Sequence, residues 1–102
     1  MADVERARTK LIKRILEGEG RAPAAQRRAA FNNSGLAEPV GTLVDKVAQC
    51  SHKVTDEDIA AVRASGYSED QIFELVVCAA VGQAGRQYDA ALDALRAATE
   101  KD

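Results

Sequence analysis

Hydrophobic positions in this chain recur at helical spacing and nowhere alternate at the spacing of a strand, which predicts an all-α fold. The segment Leu75–Gly85 carries no charged residue at all. A helix that is apolar all round is one buried on all sides. The rest of the chain is therefore expected to pack against this segment, together with a second copy of the chain.

About five helices are expected. The first runs from Asp3 to Glu17, with Val4, Ala7, Arg8, Leu11, Ile12, Ile15 and Leu16 along one face. Its acids, Asp3 and Glu5, sit near the positive end of the helix dipole, and Lys13 and Arg14 lie towards the negative end. Gly18 and Gly20 stop it. A second helix follows Pro23 and spans Ala24 to Asn32, ending in the turn residues Asn32, Asn33, Ser34 and Gly35. Its adjacent Arg27 and Arg28 read as a solvated basic face. A third begins near Pro39 and lines up Val40, Leu43, Val44, Val47 and Ala48. Extending that face at about 100° per residue puts Ser51 at its centre, Cys50 at its margin and His52 away from it.

Two helix starts then repeat one plan. Thr55 caps a short helix, Asp56 to Ser65, with three acids in its first turn and Val54 set against Ile59 as a hydrophobic staple. Gly66 ends it in a left-handed conformation. Ser68 and Gln71 form a capping box for the last helix, Glu69 to about Thr99, with Tyr67 set against Ile72. Gly82 and Gly85 cost that helix propensity, and close approach of another helix is the reason to keep them. Beyond them Ala84, Tyr88, Ala91, Leu92 and Leu95 form a narrow stripe that wants a partner.

Composition sharpens the expectation of assembly. At 102 residues the chain accommodates one domain, with residues 1–20 as an N-terminal amphipathic helix and residues 40–99 as the helical core. Aromatic residues are only 4% and Trp is absent, so a core built largely on Ala buries little apolar area in one copy. No run is long enough for a membrane helix, and the N-terminus lacks the apolar core of a signal peptide. Two cysteines make no disulfide framework, which points to reduced thiols in a cytoplasm. Net charge is −2, with the basic residues concentrated in the first 28 positions and the acidic ones after them. That leader lacks interleaved aromatics, so it is better matched to the acidic part of a neighbouring subunit than to nucleic acid.

The order Ala64-Ser65-Gly66-Tyr67-Ser68-Glu69-Asp70-Gln71-Ile72, followed by Phe73 to Val81, is a short helix ending Ala-x-Gly, an immediate Ser-x-x-x-Ile restart and a long Ala/Val-rich helix. It resembles the AhpD-like superfamily, the carboxymuconolactone decarboxylase and alkylhydroperoxidase D group. The resemblance spans roughly Val40 to Leu92. It implies an AhpD-like helical bundle, an obligate homo-oligomer in which a hydrophobic helix is buried between subunits. Peroxidase members of the family use a Cys-x-x-Cys followed four residues later by His. Counted back from Gly66, those positions are Ser51, Val54 and Asp58, none of which matches. The resemblance thus implies a degenerate member without the dithiol centre.

Cys50 with His52 is the one constellation that offers a nucleophile. A reactive thiolate needs nearby positive charge; Lys53 supplies it, while Asp56, Glu57 and Asp58 crowd the same turn and oppose it. A Cys-x-His pair also does not share a helix face. One Cys and one His leave a zinc site short of ligands, so no metal and no cofactor is expected. Cys78 reads as a small core residue and Glu74 as a rim acid. Val62, Gly66, Ser68 and Ile72 imitate a helix-turn-helix, but that second helix would offer Glu69 and Asp70 to phosphates. The expectation is a homo-oligomer joined through the Leu75–Gly85 and Val4–Leu16 helices, with a binding or scaffold role. A small-molecule ligand at the subunit interface is left open. The rival is a peroxidase-like enzyme using Cys50 with His52.

Overall fold

The helices form where the stop and start signals put them. The computed structural model describes residues 2–100, and among these it contains α1 (Ala2–Glu17), α2 (Ala24–Asn32), α3 (Val40–Cys50), α4 (Asp56–Ala64) and α5 (Glu69–Glu100). A single 3-10 turn, Ser51–Lys53, follows α3. No helix among the described residues is long and apolar enough to cross a membrane.

Local chemistry explains the boundaries. The Pro23 carbonyl accepts from the N–H groups of Gln26 and Arg27, opening α2. Asn33 closes it at φ 51°, a left-handed conformation that Asn tolerates. Thr55 Oγ1 accepts from the Asp58 N–H at 3.3 Å while Asp58 accepts from the Thr55 N–H at 2.9 Å, a complete capping box. Gly66 takes φ 108°, open to glycine and strained for other residues. Two residues later Ser68 and Gln71 exchange the same pair of hydrogen bonds, at 2.8 and 3.1 Å, and α5 begins.

α5 sets the shape. Its 32 residues make a rod about 48 Å long, and the molecule measures 55 × 29 × 20 Å. α2 and α3 pack on its first half, burying Ala30, Leu43, Val44, Leu75, Cys78 and Ala79; Val62 of α4 joins the same cluster. α1 runs antiparallel alongside α5, seating Leu16 in the core with Ile12 and Ile15 against it. Near its start Arg8 forks onto Asp89 at 2.7 and 3.0 Å and lies over the Tyr88 ring. An exposed pair of this kind adds little stability, but its two-pronged geometry fixes where α1 lies along α5.

One reading of the sequence needs correction. α3 stops at Cys50, whose backbone (φ −157°, ψ 66°) leaves the helix, so its apolar face does not extend to Ser51, which is exposed. The uncharged run of α5 is covered on one side only within a single chain. Leu75, Cys78, Ala79 and Gly82 are buried, while Ala80 and Ala84 are exposed and Phe73 retains 68% of its accessible surface.

The two glycines of α5 have different neighbours. A Cβ on Gly82 would overlap the Phe31 carbonyl at the end of α2, an oxygen that also accepts from Arg86 Nη1 at 2.7 Å. A Cβ on Gly85 would meet only Arg8 Nη2, the tip of a flexible side chain, at 2.9 Å. Ala for Gly gains roughly 1 kcal/mol of helix propensity at either place. Backbone overlap at Gly82 costs about 1–3 kcal/mol and outweighs the gain. Thermal melts are therefore expected to show Gly82→Ala losing several degrees and Gly85→Ala losing none; equal shifts would contradict the close α2–α5 approach.

Candidate functional site

The turn between α1 and α2 leaves backbone groups that the helices cannot satisfy. Two charged side chains reach them. Arg27, 7% exposed, donates from Nε to the Ala22 carbonyl at 3.1 Å. Its Nη1 donates to the carbonyls of Ile15 and Gly18 at 3.1 and 2.8 Å, capping the C-terminus of α1. Glu74 of α5 answers from the other side: both its oxygens accept the Arg21 N–H at 2.8 Å, and Oε1 also lies 3.4 Å from the Ala22 nitrogen. A Cβ at Gly20 would overlap Glu74 Oε1, which explains a glycine there. These two residues fasten α1 and α2 to α5. Arg28 is exposed, as expected of the pair; Arg27 is not, because only a long cationic donor reaches three carbonyls at once. Glu74 lies half-buried with both oxygens engaged.

Beside this corner an open groove of about 620 Å³ runs between the end of α1 and the start of α5. Ile15, Phe73, Val77 and Cys78 give it apolar walls; Arg14, Arg21 and Arg27 face Glu19, Asp70 and Glu74 around them. Three cations against three acids leave no preference for an anionic ligand. Cys78 is buried, its thiol donating to the Ile15 carbonyl at 3.7 Å, and burial pushes that thiol up from its ordinary value.

The groove opens onto the outer face of α5. At about 100° per residue, Phe73, Val77, Ala80, Ala84, Tyr88, Ala91 and Leu95 fall within a sector about 80° wide. None of the seven is buried. Past Asp70, the charged residues of the described helix (Glu74, Arg86, Asp89, Asp93, Arg96 and Glu100) all fall outside that sector. Leu95 is 61% exposed, and Val4 and Leu11 on the neighbouring α1 are 50% and 47% exposed.

Cys50 and His52 lie elsewhere. Cys50 ends α3, half-buried, and His52 sits in the 3-10 turn, exposed. Neither side chain has a hydrogen-bond partner among the described residues. Of the positions matching the family's dithiol and His, Ser51 is exposed, Val54 packs on the core, and Asp58 is bound by Lys46 Nζ at 3.0 and 2.9 Å. No three His, Cys, Asp or Glu side chains among the described residues converge as a metal site. No family model, curated protein or solved structure matches the chain. Sequence reasoning missed the roles of Arg27 and Glu74; the signal was the Gly-x-Gly turn followed by Pro23, which leaves N–H and C=O groups in need of partners.

Two measurements follow from these environments. In the folded protein a chromogenic disulfide reagent should modify Cys50 and leave Cys78 untouched until denaturant is added; equal rates would contradict the burial of Cys78. Hydrogen bonds from Lys46, and then the Thr55 N–H, hold the Asp58 carboxyl below its ordinary value. The stability this contributes is fully present above the ordinary carboxylate value of 3.8 and is lost as pH falls through the lower folded-state value. Asp58→Asn should therefore melt below wild type at neutral pH, and the gap should close in acid. A gap independent of pH would exclude the ion pair as its source.

Proposed function

We propose that this chain is a self-associating helical scaffold or binding protein, of AhpD-like architecture without that family's dithiol centre. The observation that carries the reading is the uncharged, solvent-exposed face of α5, with Val4 and Leu11 of the neighbouring α1 exposed as well. Leaving such a face in water forgoes roughly 25 cal/mol for each Å² of apolar surface that a partner would cover. The AhpD-like part of the proposal draws support from the left-handed Gly66 and the immediate Ser68–Gln71 restart. The absence of the dithiol rests on Ser51, Val54 and Asp58 at the positions in question. Free thiols at Cys50 and Cys78 fit a reducing, cytoplasmic setting. A single-thiol enzyme using Cys50 draws less support, because His52 does not contact it by hydrogen bond.

Sedimentation velocity at micromolar concentration tests the proposal. Wild type should sediment well above the 10.9 kDa of one chain. Phe73→Glu, at a position already open to solvent, should sediment as a monomer with unchanged helical circular dichroism. A wild-type monomer that is stable and well folded would overturn the reading.

A further inference from the structure

The outer stripe of α5 is laid out symmetrically about Ala84. Phe73 and Leu95 each lie eleven residues from it, Val77 and Ala91 seven, and Ala80 and Tyr88 four. An antiparallel copy of the same helix, crossing at Ala84, would bring each residue of these pairs opposite the other. The most exposed side chains, Phe73 at 68% and Leu95 at 61%, would then cover one another. The largest remaining side chain, Tyr88, would fall against the small Ala80, and two alanines would meet at the crossing. In a parallel pair, by contrast, Tyr88 would crowd Tyr88 and Ala80 would face Ala80 across a gap, which costs packing on both counts.

Charge makes the same choice. Asp70 and Arg96 lie fourteen and twelve residues from Ala84 on the same flank of the stripe, the flank towards α1. The antiparallel arrangement brings Asp70 of each copy to the same side of the seam as Arg96 of the other; a parallel two-fold carries the two flanks to opposite sides and forgoes both pairs. It also opposes the two helix dipoles, whereas a parallel pair aligns them. Area decides whether α5 suffices. From Phe73 to Leu95 the stripe is about 33 Å long, and one helix about 10 Å wide would bury well under the roughly 800 Å² per partner of a standard interface. With α1 alongside, a helix of 16 residues and so about 24 Å long, the footprint rises to about 570 Å² before surface relief is counted.

We infer that two copies of this chain dock α5 against α5 in antiparallel fashion on a two-fold axis at Ala84, with the two α1 helices completing a four-helix layer. The interface is isologous: the same patch is used by both copies. The inference rests on the self-association proposed above and adds its partner geometry.

Site-directed cross-linking separates the two. In a Cys50→Ser background, Ala84→Cys is exposed and placed on the axis, where paired Cα atoms come within disulfide reach. Mild oxidation with copper-phenanthroline should shift its band on a non-reducing gel from one chain to two. Phe73→Cys protein mixed with Leu95→Cys protein should cross-link between the two species, and neither should cross-link to itself. Self-linking of Phe73→Cys would overturn the antiparallel register. An assembled Ala84→Cys protein that does not cross-link would overturn the two-fold at Ala84 while leaving self-association standing. Sedimentation of every variant and of wild type as monomers would overturn both.

Discussion

A long helix with apolar side chains on two faces has to be covered twice, and α5 is such a helix. Its inner face is covered by the chain itself, through α2, α3 and the second half of α1. Leu75, Cys78 and Ala79 are sealed there, and Gly82 lets α2 come close enough for the Phe31 carbonyl to touch the helix. The outer face has no charge along its central sector, and among the described residues it stays largely exposed, with Arg8 over the Tyr88 ring at its edge. A domain this small, with only four aromatic residues (two Phe and two Tyr), has no element left over for that task.

Position along α5 is governed by polar groups at the ends of its neighbours. Arg27 gathers three carbonyls at the end of α1, and Glu74 takes the N–H groups of the following turn. Farther on, Arg8 grips Asp89 and Arg86 takes the Phe31 carbonyl in the last turn of α2. Buried polar groups left without partners are expensive, so these contacts define one register for α1 and α2 against α5. A defined register fixes where α1, with its exposed Val4 and Leu11, lies along α5.

How far the sequence carried depended on the range of each interaction. Helix starts were legible because capping is local: Thr55, Ser68 and Gln71 act within three residues, and Gly66 and Asn33 act through their own backbones. The second half of the stripe (Ala84, Tyr88, Ala91 and Leu95) and the face of α3 were legible from periodicity, up to the point where Cys50 left the helix and broke the extrapolation to Ser51. What could not be read was long-range. Arg27 looked like half of a solvated pair because its partners are carbonyls, which every residue has, and Glu74 looked like a rim acid because its partners are backbone N–H groups far along the chain. The candidate thiol site stood on nearness in sequence, and Cys50 and His52 lie on successive elements with no hydrogen bond between their side chains.

Amide hydrogen exchange along α5, followed as the protein is diluted, tests most directly whether the outer face is covered by a second copy. Beyond Arg86, the described hydrogen bonds and ring contact from α5 to another helix all run to Arg8 of α1. If the face is a contact between copies, amides from Tyr88 to Leu95 should be strongly protected at high concentration and lose that protection together on dilution, while those around Leu75 and Cys78 change far less. Rapid exchange from Tyr88 to Leu95 at every concentration would contradict the account.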